Sequence, residues 1–230
     1  MAYPYRLITI LFLLTTAASA QPDRGQRFAA AAYLGANAAQ IDGDYYFGYN
    51  HLGLNAGIES QLLLSPKYFV SVGLSFSQMG AKPTRREISE RGGRVLQLRL
   101  NSVEIPLMFN YRLGKKNEFT KKKDYRLFKS AVVRAGVSLS RLTGYRTTDF
   151  GDLSALPRNQ NFVSVEDEFN QFDLYALVGV TIPVNMHWSF YLHHTKSIFG
   201  LYQPDGGFMR NAVLPLFPYS LSLGVRYTVY

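Results

Sequence analysis

From Leu52 the chain alternates: Leu52, Leu54, Ala56, Ile58 and Leu62 are apolar, with Gly53, Asn55, Gly57, Glu59 and Gln61 between them. A period of two marks a strand with two unlike faces, whereas a helix repeats every 3.6 residues. The pattern returns at Tyr68, Val70, Val72, Leu74 and Phe76, set against Ser71, Gly73, Ser75 and Ser77, with Ser65-Pro66-Lys67 as a tight connection. It recurs at Val103, Ile105, Leu107, Phe109 and Tyr111, and at Ala131, Val133, Ala135, Val137 and Leu139. Three more segments follow, led by Phe172, Leu174, Ala176, Val178, Val180 and Ile182, by Trp188, Phe190 and Leu192, and by Leu221, Leu223, Val225, Tyr227 and Val229. With a less regular stretch over 28–37, the spacing predicts eight strands.

Alternation alone fits either a soluble β-sandwich or a transmembrane barrel. The second face decides between them. It is built from Gly, Ser, Asn, Thr and isolated charges with little Lys, which suits the inside of a narrow barrel better than a solvated sheet exterior. Connection lengths agree. Outer-membrane barrels have long outer loops and short periplasmic turns, and here 38–51, 78–95, 142–171 and 199–218 are long while the links near Ser65-Pro66 and Pro183-Val184-Asn185 are short. One inner connection, 113–127, is long and basic. The expected fold is all-β: an eight-stranded antiparallel up-and-down transmembrane barrel.

The N-terminus supplies a route to that membrane. Arg6, the apolar run 7–14 and Ala18-Ser19-Ala20 read as a signal peptide over 1–20, cut before Gln21, which leaves 21–230 as one barrel domain. No apolar stretch reaches the 18 residues of a spanning helix. Cysteine is absent, so disulfides and zinc thiolates are excluded.

Two further features point to outer-membrane assembly. The chain closes on Ser222-x-Gly224-x-x-Tyr227-x-Val229-Tyr230, similar to the C-terminal signal read by the assembly machinery, with Gly224, Tyr227, Val229 and Tyr230 as its residues. The segment Ser102-Val103-Glu104-Ile105-Pro106-Leu107-Met108-Phe109-Asn110-Tyr111-Arg112 resembles the "E-I-P-L" strand of the PorT-like small outer-membrane β-barrel family; Arg134-Ala135-Gly136-Val137-Ser138 and Ser222-Leu223-Gly224-Val225-Arg226-Tyr227 are similar too. The resemblance implies fold and location, with one known role in secretion that it does not transfer.

The net charge of +9 could suggest nucleic acid, but the basic residues are not interleaved with stacking aromatics. Arg85, Arg86, Arg91 and Arg94 gather in an outer loop, where guanidinium forks would suit lipopolysaccharide phosphates. The basic inner turn, with Lys115, Lys116, Lys121, Lys122 and Lys123, is a possible contact for an envelope protein partner. Tyr68, Tyr111, Trp188, Tyr219 and Tyr227 are candidates for aromatic girdles.

Strand parity sends Glu59, Glu104, Asp173, Arg112, Arg134 and Arg226 to the interior, three acids and three bases that can neutralise one another as a plug. A wide pore is not expected. His193 and His194 point to opposite faces and cannot share a metal, and neither metal nor cofactor is expected. A rim enzyme acting on lipid or peptide would draw on His193, Thr195 and Ser197 with Asp149, Asp152, Glu166, Asp167 or Glu168, a spacing that matches no hydrolase motif. The reading is a filled barrel with a structural, interaction or secretion-associated role through its loops; the alternatives are that enzyme and a narrow transporter.

Overall fold

The computed structural model describes residues 27–44, 46–84, 86–87, 96–113, 131–149, 166–203 and 214–230. Eight strands form one closed barrel in chain order: β1 (Phe28–Asp42), β2 (His51–Leu63), β3 (Tyr68–Ala81), β4 (Leu96–Arg112), β5 (Val132–Asp149), β6 (Phe172–Pro183), β7 (Trp188–Ser197) and β8 (Phe217–Val229). All neighbours are antiparallel, and β8 returns to pair with β1 from Ala30↔Val229 to Asp42↔Phe217. Closure leaves no unpaired edge, the condition for a sheet to cross hydrocarbon.

The alternation written in the sequence is the inside and outside of this barrel. Leu52, Ile58, Leu74, Phe109, Val178 and Leu223 lie exposed on the outer surface, while Glu59, Ser71, Asn110, Ser138 and Ser222 are buried within. The two short turns are held by one side-chain oxygen each. Ser65 Oγ accepts from the amides of Lys67 and Tyr68, and Asn185 Oδ1 from those of His187 and Trp188. Such side-chain mimicry of a backbone turn is what Ser and Asn supply.

Aromatic side chains gather in two bands. At the short-turn end Tyr68 packs on Phe109 and Tyr111, and Trp188 on Tyr227, with centroids 5.0–5.8 Å apart. At the other end Tyr49 meets Tyr219 edge-on at 5.3 Å. Tyr219 and Tyr227 share β8, eight residues or about 26 Å apart along it, about 20 Å along the barrel axis after a ~40° tilt. That spacing is on the scale of an outer-membrane apolar band.

Three boundaries differ from the sequence expectation. β1 continues past Asn37 to Asp42, its small residues hiding the alternation. β3 runs to Ala81 and β5 to Asp149, so part of the expected outer loops 78–95 and 142–171 is strand. Because β6 pairs with β5 only as far as Arg141, the β4–β5 hairpin rises beyond the barrel wall. A register shift at Asn101/Ser102 bends it there, and Thr143 Oγ1 closes the irregularity by donating to the Asn101 carbonyl at 2.9 Å.

Candidate functional site

The interior is the candidate site, and it is layered. Nearest the short-turn end, which faces the periplasm in outer-membrane barrels, Glu59 of β2 holds two arginines. Its Oε2 accepts from Arg134 Nη2 at 2.7 Å, and its Oε1 contacts Arg226 Nη2. Gln61 donates to the same carboxylate. Arg134 is fixed further by Asn110 Oδ1 at 2.6 Å and Ser71 Oγ at 3.1 Å, and Asn110 donates in turn to the Phe69 carbonyl. A buried ion pair is tolerable only when its remaining donors and acceptors are met, and Gln61, Ser71 and Asn110 meet those around Glu59 and Arg134 in a network that spans β2, β3, β4, β5 and β8.

The next layer is aromatic. Tyr33 and Tyr191 meet edge-on at 5.6 Å, and Tyr191 stacks obliquely on His193 at 4.8 Å. Glycines make the space. A Cβ on Gly57 would stand 2.6 Å from Tyr33 Oη, one on Gly35 2.5 Å from Tyr191 Oη, and one on Gly179 2.3 Å from the His193 ring. The Gly positions of the inner face are therefore the seats of three rings.

Above the rings, Asn37 ties three strands: its Nδ2 donates to Ser77 Oγ at 2.9 Å and the Gln78 carbonyl at 3.0 Å, and its Oδ1 accepts from Ser222. Glu104 and Asp173 flank Ser140 in register. Asp173 accepts from Ser197 Oγ at 2.5 Å and the Phe199 amide at 3.1 Å. Among the described residues no ion pair includes either acid.

The outer mouth is stopped by an apolar cluster: Ile41, Tyr46, Ala81, Leu98, Leu100, Phe169, Leu201, Tyr202 and Leu216. The segments bringing these residues together are stitched to one another. Leu201 and Leu216 exchange backbone hydrogen bonds with Leu216 and Tyr202, and the Asn170 amide donates to the Leu201 carbonyl. Gly43 and Gly48 take left-handed φ values of 97° and 92°, turning the first outer loop back over the mouth. Within that loop Asp44 is buried, and burial, together with Glu87 and Asp42 nearby, pushes its carboxyl up to about 7. Thr84 and Glu87 cap each other as a reciprocal box, and Glu87 Oε1 also accepts from the Phe47 amide, locking two outer loops together.

The structure separates the six expected lumen charges into unlike sets. Glu59, Arg134 and Arg226 are joined. Arg112 stands at the inner mouth with its guanidinium 5.1 Å above the Phe69 ring, and Glu104 and Asp173 lie on the outer side of the aromatic layer. Parity predicts the inward direction but not the height, so it could not separate these groups. Of the outer arginines, Arg86 is exposed; Arg85, Arg91 and Arg94 lie outside the described residues, as does the turn 114–130. Arg99 and Arg146, which sequence reasoning passed over, stand opposite each other on the raised hairpin, both exposed.

His193 and Ser197 share a face of β7 but lie four residues, about 13 Å, apart, beyond reach of a nucleophile–base pair. His193 points inward to Gly179, and His194 points outward, its Nδ1 3.0 Å from the Ser220 carbonyl. In the terminal strand Gly224 seats Tyr191, Tyr227 joins the inner aromatic band, Val229 pairs with Ala30, and Tyr230 lies near His187. The period-two pattern does not carry the apolar cap. Its signal is the run of apolar residues inside loops, Leu201-Tyr202 and Leu214-Pro215-Leu216.

The model of a family described as outer membrane protein beta-barrel domain matches residues 19–203. No curated protein matches the chain. Among solved structures the chain is similar to Ail, the attachment invasion locus protein of Yersinia pestis, at 9% identity over 89% of this chain and 100% of that one, with a TM-score of 0.42. It is similar to Neisserial surface protein A at 15% identity, over 87% and 95% of the two chains, with a TM-score of 0.38. The outer membrane protein OprG from Pseudomonas aeruginosa gives 10% identity, 88% and 95% coverage and a TM-score of 0.37.

Proposed function

The chain belongs to the outer membrane protein beta-barrel domain family and so to the outer membrane of a Gram-negative bacterium, and from that premise we propose a filled, non-conducting barrel that acts by presenting its loops to an envelope partner. The observation that carries this reading is the apolar cluster across the outer mouth, stacked on a lumen whose Glu59–Arg134 pair and aromatic layer already occupy the axis. An eight-stranded barrel has room only for side chains. Planar-bilayer recording of the purified protein is expected to give no large stable conductance, and a steady open channel would overturn the reading.

Several finer assignments belong to the same proposal. Export uses the segment 1–20 as a signal peptide, the assembly machinery engages Gly224, Tyr227, Val229 and Tyr230, and the affiliation within the family is PorT-like. Support for an outer lipopolysaccharide contact comes from charge at the rim. Arg99 opposite Arg146 is a like-charge cross-strand pair, destabilising by itself and relieved by a bound phosphate. With exposed Arg86 it puts positive charge on the outer side of the barrel, and Arg85, Arg91 and Arg94 add to the basic character of that stretch of sequence. Replacing Arg86, Arg99 and Arg146 with Gln is expected to reduce co-purified lipopolysaccharide; an unchanged yield would remove this contact from the proposal.

A further inference from the structure

The inner mouth contains a cavity of about 50 Å³ whose lining includes Arg112, Arg134, Thr181, Ser189, Arg226 and Thr228. At roughly 10–15 Å³ for each water-sized centre, it holds about four waters or one compact oxyanion. Its floor carries more positive than negative charge. Arg134 and Arg226 are both almost fully buried, and among the described residues Glu59 is the one carboxylate that contacts them. An unbalanced buried guanidinium is costly unless something else meets its charge.

The surrounding donors come from several directions. Arg134 belongs to β5, Thr181 to β6, Ser189 to β7, and Arg226 and Thr228 to β8. Thr181 is buried and its Oγ1 has no hydrogen-bond partner. A carboxylate accepts in one plane, whereas a tetrahedral oxyanion accepts from a ring of donors such as this one. We propose that the inner mouth of the barrel binds a phosphate oxyanion, with Arg226 and Arg134 supplying charge, Thr181 a hydroxyl donor, and Arg112 guarding the entrance. The same chemistry is carried by free inorganic phosphate and by the phosphodiester of an inner-leaflet headgroup. The proposal stands whether or not the outer loops bind a partner.

The test is a ³¹P NMR titration of the full-length protein in a phosphorus-free detergent, first with inorganic phosphate and then with dihexanoyl phosphatidylglycerol. Saturable broadening of either resonance is expected; tighter binding of the first marks the free ion as the source, and of the second the headgroup. Thr181→Val keeps the side-chain shape and is expected to weaken binding about five- to tenfold, with heat-modifiable gel mobility confirming that the barrel is intact. Arg226→Gln should weaken it further. No broadening with either probe, or a folded Thr181→Val variant that titrates like the unaltered protein, would overturn the proposal.

Discussion

Ser222 Oγ donates to Asn37 Oδ1 at 2.6 Å, joining residues 185 positions apart across the seam where the last strand meets the first. Asn37 also donates to Ser77 Oγ, so one fully buried amide serves both the seam and the far side of β2. Asn37→Ala takes the acceptor from buried Ser222 and the amide donor from Ser77, at a cost of about 1–3 kcal/mol for the groups left unmet. The variant is expected to lose its fast-migrating gel form at a lower temperature than the unaltered protein; identical melting would remove Asn37 as the seam's anchor.

Removing the carboxylate at the inner end is expected to be more severe. Glu59→Gln leaves Arg134 and Arg226 buried with no counter-charge, and loss of one partner from such a group typically costs about 3–5 kcal/mol. Guanidinium unfolding in micelles, followed by tryptophan fluorescence at Trp188, measures the shift. A midpoint within error of the unaltered protein would show that water at the inner mouth already carries the charge.

The glycine seats predict steric rather than electrostatic failure. A Cβ on Gly35 would lie 2.5 Å from Tyr191 Oη and 2.4 Å from the Leu223 carbonyl, one flexible neighbour and one fixed. Gly35→Ala is therefore expected to lower the folded yield, and Gly35→Ala with Tyr191→Phe to recover only part of it, because the backbone contact remains. Full recovery in the double variant would assign the whole effect to the tyrosine hydroxyl.

The outer cap should respond to pH through Asp44. Its folded value of about 7 is above that of an unfolded aspartate, so the folded loop binds a proton more tightly than the unfolded chain. The stabilisation is complete below about pH 4 and is lost as pH rises through about 7. Hydrogen exchange of the loop amides around Tyr46, corrected for intrinsic rates, is expected to be more protected at pH 5 than at pH 8, and Asp44→Asn to flatten that difference. Greater protection at pH 8 would contradict the assignment.

Much of the fold was legible in the sequence because a membrane barrel writes each side chain's direction into a period of two. Leu52 to Leu62 and Val103 to Tyr111 name their outer faces without ambiguity. β1 is less readable: Ala29 to Ala32 and Ala38-Ala39 are small on both faces, so only pairing with β2 and β8 fixes the strand to Asp42. The interior was legible in composition alone. That Glu59 takes both arginines while Glu104 and Asp173 take none depends on how far each lies along the axis, a consequence of strand stagger that local pattern does not carry. The cap is non-local in the same sense, since Ile41, Leu98, Phe169 and Leu216 come from four separate stretches of chain.

That cap gives the barrel a sidedness. Among the described residues, apolar contacts stop the outer mouth and a hydroxyl- and arginine-lined hollow lies at the inner one, the outline of a cup rather than a tube. In the filled, non-conducting barrel proposed above, water or ions in that hollow exchange through the inner rim, so their occupancy follows the composition of the periplasm.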